Sequence, residues 1–185
     1  TEATVRESII EQAIEHFGGI DILVNNAGVG ALGRFINADE ARLRRVMEVN
    51  FFAPAELIRL ALPTLRKGTN PMVVNIGSIL GHRALPRMSE YCASKFALTG
   101  LSESLRGELV QMGVDVLLVS PGTTQSEFHG QMIERQGETP WGQAEGVPAE
   151  VVAQRIVKAI RKGLACCDRA SFLFPKIIPG IFRKP

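Results

Sequence analysis

With 185 residues, 45% of them apolar, 22% charged and a formal net charge of only +2, the chain has the length and composition of a single soluble globular domain with a real core. Its basic residues are scattered and it has one Trp and one Tyr, so nothing points to a nucleic-acid surface. The longest apolar runs are strand-length, the first residues are polar and helical rather than a signal peptide, and the three cysteines (Cys92, Cys166, Cys167) form no disulfide framework; no transmembrane segment and a cytoplasmic location are the expectations.

Residues 4–17 read as a helix whose apolar face is Val5, Ile9, Ile10, Ala13, Ile14 and Phe17, ended by Gly18-Gly19. Ile20-Asp21-Ile22-Leu23-Val24 follows, a near-continuous apolar run that suits a parallel strand covered on both faces. Asn25-Asn26-Ala27-Gly28 then stands at a strand's carboxyl end, where ligands bind in open α/β sheets. An ordinary turn would use the same residues. Gly30 and Gly33 keep the next loop open.

A long helix is predicted over about 39–66, with Leu43, Val46, Met47, Phe51, Leu57 and Ile58 among its apolar side. Asn50 interrupts that side. Pro54, four residues on, has no N–H to give the Asn50 carbonyl, so the helix should bend there and leave that carbonyl free for water. After the turn Gly68-Thr69-Asn70-Pro71, the strand Met72-Val73-Val74-Asn75-Ile76 brings Ser78 to the carboxyl edge of the sheet. His82 on the following loop reads as a surface or substrate-rim residue, because no carboxylate partner is evident. No His/Cys/Asp/Glu cluster has metal-ligand spacing, so no metal is expected.

The helix opening at Ser89-Glu90-Tyr91-Cys92-Ala93-Ser94-Lys95 repeats Leu98, Leu101, Leu105 and Leu109 at helical spacing and is closed by Gly113. Tyr91 and Lys95, four apart, share one side of it. A phenol ordinarily titrates near pH ~10. An ammonium beside it would favour the phenolate and lower that value, suiting it to exchange protons with a carbonyl or alcohol. Such pairs are more often plain surface residues, so the surrounding motifs must decide. A strand over 114–119 leads into Pro121-Gly122-Thr123-Thr124-Gln125-Ser126. Residues 127–147 are polar and Gly-rich with Phe128, Met132 and Trp141 between, like a mobile lid over a substrate. A helix from 148 to about 162, an edge strand at 171–174 and an apolar tail at 177–182 complete the chain.

NNAG, a helical Asn, a strand-end Ser, YxASK and a Pro-Gly turn, in this order and at about this spacing, resemble the classical short-chain dehydrogenase/reductase family from roughly Thr4 to Arg161. The resemblance implies an α/β fold, the C-terminal portion of a Rossmann-like, doubly wound parallel sheet with four strands and helices on both faces. It implies an NAD(P)-dependent oxidoreductase that interconverts an alcohol and a ketone or aldehyde. By analogy, Tyr91 is the acid/base, Ser78 holds the substrate oxygen, Lys95 tunes Tyr91 and binds the nicotinamide ribose, and Asn50 holds a water in a proton relay. The cofactor would meet Asn25, Ala27, Gly28, Tyr91, Lys95, Pro121, Gly122, Thr124 and Ser126. Ser126 stands where the family usually has Thr and keeps the hydroxyl.

The family's Gly-rich TGxxxGxG turn does not occur in these residues, and the chain begins inside a helix without Met, so one N-terminally incomplete domain spanning 1–185 is expected. The strand near 21–25 would then be an unprotected edge. The choice between NAD and NADP is not legible. The apolar loop residues suggest a lipophilic alcohol or carbonyl compound as the small-molecule substrate. Helices 39–66 and 90–112 are apolar enough for a homodimer or homotetramer surface. Two other readings stay open. One is an epimerase or dehydratase of the family's extended branch, against which NNAG and the Ala-Ser before Lys95 argue. The other is a non-catalytic fragment or binding protein that has lost cofactor binding.

Overall fold

The computed structural model describes residues 2–130, 132–137 and 146–163. Helix α1 (Ala3–Phe17) ends at Gly18, which takes the left-handed conformation (φ 79°) that glycine adopts without strain. Strand β1 (Ile22–Asn25) and the short β2 (Ala31–Leu32) follow. Helix α2 (Glu40–Met47) is capped by the Asp39 carboxylate, which accepts from the Arg42 amide at 2.7 Å. A π-helical turn (Glu48–Phe52) joins it to α3 (Ala53–Leu65). Then come β3 (Met72–Ile76), a 3-10 turn over Ile79–Gly81, and the long α4 (Ser89–Leu109). Strand β4 (Asp115–Val119) is followed by β5 (Thr124–Gln125), a 3-10 turn over Glu127–His129, β6 (Glu134–Arg135), β7 (Val147–Pro148) and α5 (Ala149–Arg161).

The central sheet is parallel with order β1-β3-β4, in the register Asn25 to Asn75 and Asn75 to Leu118. Side-chain alternation sends β3 to two cores at once. Val73 joins Ile10, Ile58, Leu65, Leu109 and Val116 beneath α1, α3 and α4. Met72 and Val74 face the other way, with Leu117 and Val119, against Ile156 and Ile160 of α5. Helices therefore cover both faces of β3 and β4, as the apolar runs of these strands require. No helix among the described residues is long and apolar enough to cross a membrane.

Two expectations change, and a third takes a more specific form. Only Ile10 of the α1 face is buried; Val5, Ile9, Ile14 and Phe17 are exposed, because the helix meets α3 along a narrower line than its apolar stripe. Strand β1 lies at the edge of the described sheet, as expected, but one of its faces is open rather than both covered, with Ile22 42% and Val24 47% exposed. The helix predicted over 39–66 is present as α2, the π turn and α3 in unbroken succession, and the departure expected at Asn50 takes the form of the π turn. At Asn50 the backbone widens into a π turn, in which the Ala53 amide reaches back five residues to the Glu48 carbonyl. Pro54 explains the local departure, since it has no N–H for the Asn50 carbonyl. The strand expected at 171–174 and the apolar tail lie outside the described residues, as does Trp141.

Two short parallel ladders organise the loop after β4. Strand β5 pairs with β7, and β6 pairs with β2. The stretch expected as a lid is thus tied to the body at both of its described ends.

Candidate active site

The carboxyl ends of β1, β3 and β4 converge with the first turns of α4. Ser78 follows β3 in an extended conformation, and its Oγ accepts from the Leu80 amide at 3.1 Å, starting the 3-10 turn. The Tyr91 phenol lies close enough to this hydroxyl for Ser78 to favour its ionised form. That turn packs hard on α4. A Cβ on Gly81 would stand 2.7 Å from the Lys95 carbonyl oxygen and 2.8 Å from Thr99 Oγ1, so only glycine lets the Ser78 turn approach the helix this closely.

Tyr91 and Lys95 lie one turn apart, 8% and 4% exposed, with the Lys95 Nζ 5.7 Å from the phenol ring centroid. Lys95 Nζ donates to the Ile76 carbonyl at 2.8 Å, which engages one of its three donors. Asn50 is fully buried in the π turn. Its Oδ1 accepts from the Val29 amide at 2.9 Å, and its Nδ2 donates to the Val29 carbonyl and to Ser94 Oγ, both at 2.9 Å. Ser94 Oγ passes the chain on to the Tyr91 carbonyl at 2.8 Å. Asn50 is thereby locked between the NNAG loop and the helix that carries Tyr91. The site that a Gly28 Cβ would take is 3.4 Å from Asn50 Oδ1 and 3.6 Å from Lys95 Nζ, so the NNAG backbone lies directly over both.

The electrostatics correct one expectation. Tyr91 is not drawn toward neutrality by Lys95: burial pushes its phenol up to about 12, and the nearby Ser78 hydroxyl only partly opposes this. Burial instead pulls Lys95 down to about 8, because a desolvated ammonium is costly. The neutral phenol is thus the resident form, and the lysine is the group poised to change charge near neutral pH. A stability signature follows. Folded Lys95 releases its proton near pH 8, whereas the unfolded chain holds it to about 10.5. Between these values the unfolded state binds more protons, so stability rises with pH. Between pH 8 and 10, below the range where Tyr91 titrates, wild type should gain stability relative to Lys95→Met in urea titrations. Parallel curves for the two proteins would contradict the buried lysine.

Other predicted residues fall near this centre with differing involvement. Asn25 is buried, and its Nδ2 donates to Asn75 Oδ1 at 2.9 Å; Asn75 Nδ2 donates to Ser102 Oγ at 2.9 Å. The Asn25 side chain joins β1 to β3 and, through Asn75, to α4. The Pro121 carbonyl accepts from the Ile79 amide at 3.0 Å, which draws the Pro-Gly turn beside Ser78. Thr124 Oγ1 donates to the Gly122 carbonyl at 3.1 Å, while Ser126 is exposed. His82 is exposed, and Ser120 Oγ lies 2.8 Å from its Nε2. Ser94, Asn75 and Ser102 were not singled out in the sequence. Each is a polar residue at a position where the apolar period demands a buried one.

An apolar wall stands against the phenol. Leu32, Leu85, Met88 and Cys92 pack with Tyr91, and Phe128 and Met132 close over them, the Phe128 ring 5.4 Å from the Tyr91 ring. The glycines expected to keep the loop open make room for this cover: a Cβ on Gly30 would stand 2.9 Å from Phe128 Cζ. Among the described residues no group of three or more His, Cys, Asp or Glu side chains could hold a metal ion.

A doubly wound parallel sheet with a Ser, Tyr, Lys and Asn set at its strand ends is the arrangement of the short-chain dehydrogenases, and this chain belongs to that family: the family's model, described as short chain dehydrogenase, matches residues 1–137. An uncharacterized oxidoreductase of Schizosaccharomyces pombe is 35% identical over 126 residues, 68% of this chain and 53% of that one. Retinol dehydrogenase 8 of Bos taurus is 36% identical over 118 residues, 64% of this chain and 38% of that one. A crystal structure of a short-chain dehydrogenase from Streptomyces avermitilis superposes with a TM-score of 0.75 at 30% identity, covering 86% of this chain and 63% of that one. The chain therefore spans about half or less of the length of these curated relatives.

Proposed function

We propose that the protein is a nicotinamide-dependent oxidoreductase that interconverts an alcohol and a ketone or aldehyde. The observation that carries this is the buried cluster of Ser78, Tyr91 and Lys95, with the Lys95 Nζ 5.7 Å from the phenol ring centroid, at the carboxyl ends of parallel strands. A bound nicotinamide would supply or accept the hydride. In reduction Ser78 holds the substrate oxygen and the neutral Tyr91 phenol gives it a proton. Lys95, pulled down to about 8, restores that proton near neutral pH. Asn50 fixes the loop above Lys95, and its own carbonyl, denied a helical partner by Pro54, is free to hold a relay water.

The residues fit the nicotinamide end of such a cofactor. The Gly28 backbone has no side chain between it and Lys95, whose two remaining donors suit a ribose diol. Ala27, the Asn25 backbone, Pro121, Gly122, Thr124 and Ser126 would complete that wall. Retinol dehydrogenase 8 is named for an alcohol substrate, and the apolar wall beside Tyr91 favours a lipophilic one here. Assembly through α3 and α4 belongs to the same reading, since Phe52 and Phe96 are exposed at the start of α3 and on α4. Fluorescence titration with NADH and then NADPH tests the proposal. Saturable binding of either is expected, and the tighter one identifies the cofactor. A folded protein that binds neither would refute it.

A further inference from the structure

The covered phenol is held shut by charges that lie outside the catalytic set. Arg42 of α2 is 4% exposed, and Glu90, the residue before Tyr91, is 1% exposed. Arg42 donates to the same Glu90 oxygen twice, from Nε at 3.0 Å and from Nη2 at 2.6 Å. Its remaining arm, Nη1, reaches Glu134 of β6 at 2.6 Å. Glu134 is in turn held by the Gln136 side chain, and Arg87 donates to the Gln136 carbonyl. Backbone bonds complete the contact: the Ile133 amide gives to the Gly30 carbonyl at 2.9 Å, and the Gln136 amide to the Leu32 carbonyl at 2.8 Å. One guanidinium thus grips the helix that carries Tyr91 and the segment that covers it.

We propose that Arg42 is a positioning residue, which clasps Glu134 and thereby seats Phe128 and Met132 over the Tyr91 ring. The charge count makes the clasp reversible. When Glu134 leaves, Arg42 keeps Glu90 and no buried charge is stranded. Glu134 is partly exposed and its carboxylate can return to water. The strong pair therefore belongs to the body and the releasable one to the cover. Gly33 permits this geometry, because a Cβ there would stand 3.3 Å from Arg42 Nη1 and 3.1 Å from the Gln136 side chain. A substrate reaching Tyr91 has to displace Phe128 or slide beneath it, which selects an apolar group next to the reacting oxygen. That last consequence rests on the redox reading. The clasp itself does not, and a Tyr91→Phe protein with undiminished turnover would remove the former and leave the latter.

The test uses Glu134→Ala in the full protein, with Arg135→Ala, a neighbouring exposed side chain, as control. Amide hydrogen exchange at Ile133 and Gln136 should accelerate about tenfold while the amides of α4 hold their wild-type rates. Tyr91 is the single tyrosine, so 3-fluorotyrosine labels one site. Its fluorine resonance should acquire a solvent isotope shift in Glu134→Ala that wild type and Arg135→Ala lack. Glu134→Gln, which keeps an acceptor for Arg42, should fall between. The proposal is overturned if exchange in Glu134→Ala stays within twofold of wild type, if α4 accelerates equally, or if the fluorine shift is unchanged.

Discussion

Tyr91→Phe should lower kcat/KM by about 10²- to 10⁴-fold while leaving the fold and cofactor binding in place. The change removes one oxygen and nothing else. Phenylalanine keeps the ring against Phe128, Leu32 and Met88, so the apolar wall is preserved. Any polar contact the phenol oxygen makes is worth about 1 kcal/mol, too little to unfold a domain of this size, and Ser78 keeps its bond from the Leu80 amide. What disappears is the phenol proton that reaches an oxygen held by Ser78. Lys95, whose Nζ gives one of its donors to the Ile76 carbonyl, is assigned to resupplying that proton and not to meeting the substrate oxygen. Steady-state kinetics with the substrate that defines wild-type activity, together with a nucleotide titration of the variant, separate the two effects. Turnover within tenfold of wild type would remove Tyr91 from the chemistry.

Arg42→Met should cost about 3–5 kcal/mol of stability. Glu90 has no exposure to speak of, and its Oε2 has no hydrogen-bond partner within the described structure. Every bond that this carboxylate makes comes from the guanidinium. Methionine fills much of the volume and leaves the charge alone in an apolar setting. The double variant Arg42→Met/Glu90→Gln should recover most of the loss, since a neutral amide is cheaper to bury. Urea midpoints of the two proteins decide it. A single variant within 1 kcal/mol of wild type, or a double variant no better than the single, would show that the pair does not carry the energy assigned to it.

The contrast between these residues shows what a sequence can disclose. Tyr91, Lys95 and Ser94 sit in one stretch of helix, and local periodicity is enough to place them on it. The strands at 72–76 and near 115–119 are equally legible, because burial on both faces leaves a nearly continuous apolar run. Arg42, Glu90 and Glu134 are 48 and 92 positions apart, and each alone reads as a charge on a solvated face. Only the packing of α2, α4 and β6 brings them together. The acidity of Tyr91 was misjudged for a related reason. The sequence supplies its neighbour Lys95, but desolvation depends on Phe128 and the residues around it, whose approach is a tertiary fact. Asn75 and Ser102 lie between these extremes. They were visible as polar interruptions of apolar patterns, without anything to say that they point at one another.

The π turn at Glu48–Phe52 has a consequence for rotational phase. Arg42, Val46, Asn50, Pro54 and Ile58 are all buried, and they follow one another at intervals of four. In an uninterrupted α-helix each such step overshoots a full turn by about 40°, so the last would be rotated about 160° from the first. The wider turn absorbs one extra residue, roughly 100° of that drift, and returns the second half of the helix to the side faced by the first. The turn therefore acts as a phase correction. It lets a single helical rod present the clasp arginine at one end, the amide that pins the NNAG loop in the middle, and the sheet-packing aliphatics at the other. Deleting one residue within it should restore an uninterrupted α-helix with both halves still facing the same side.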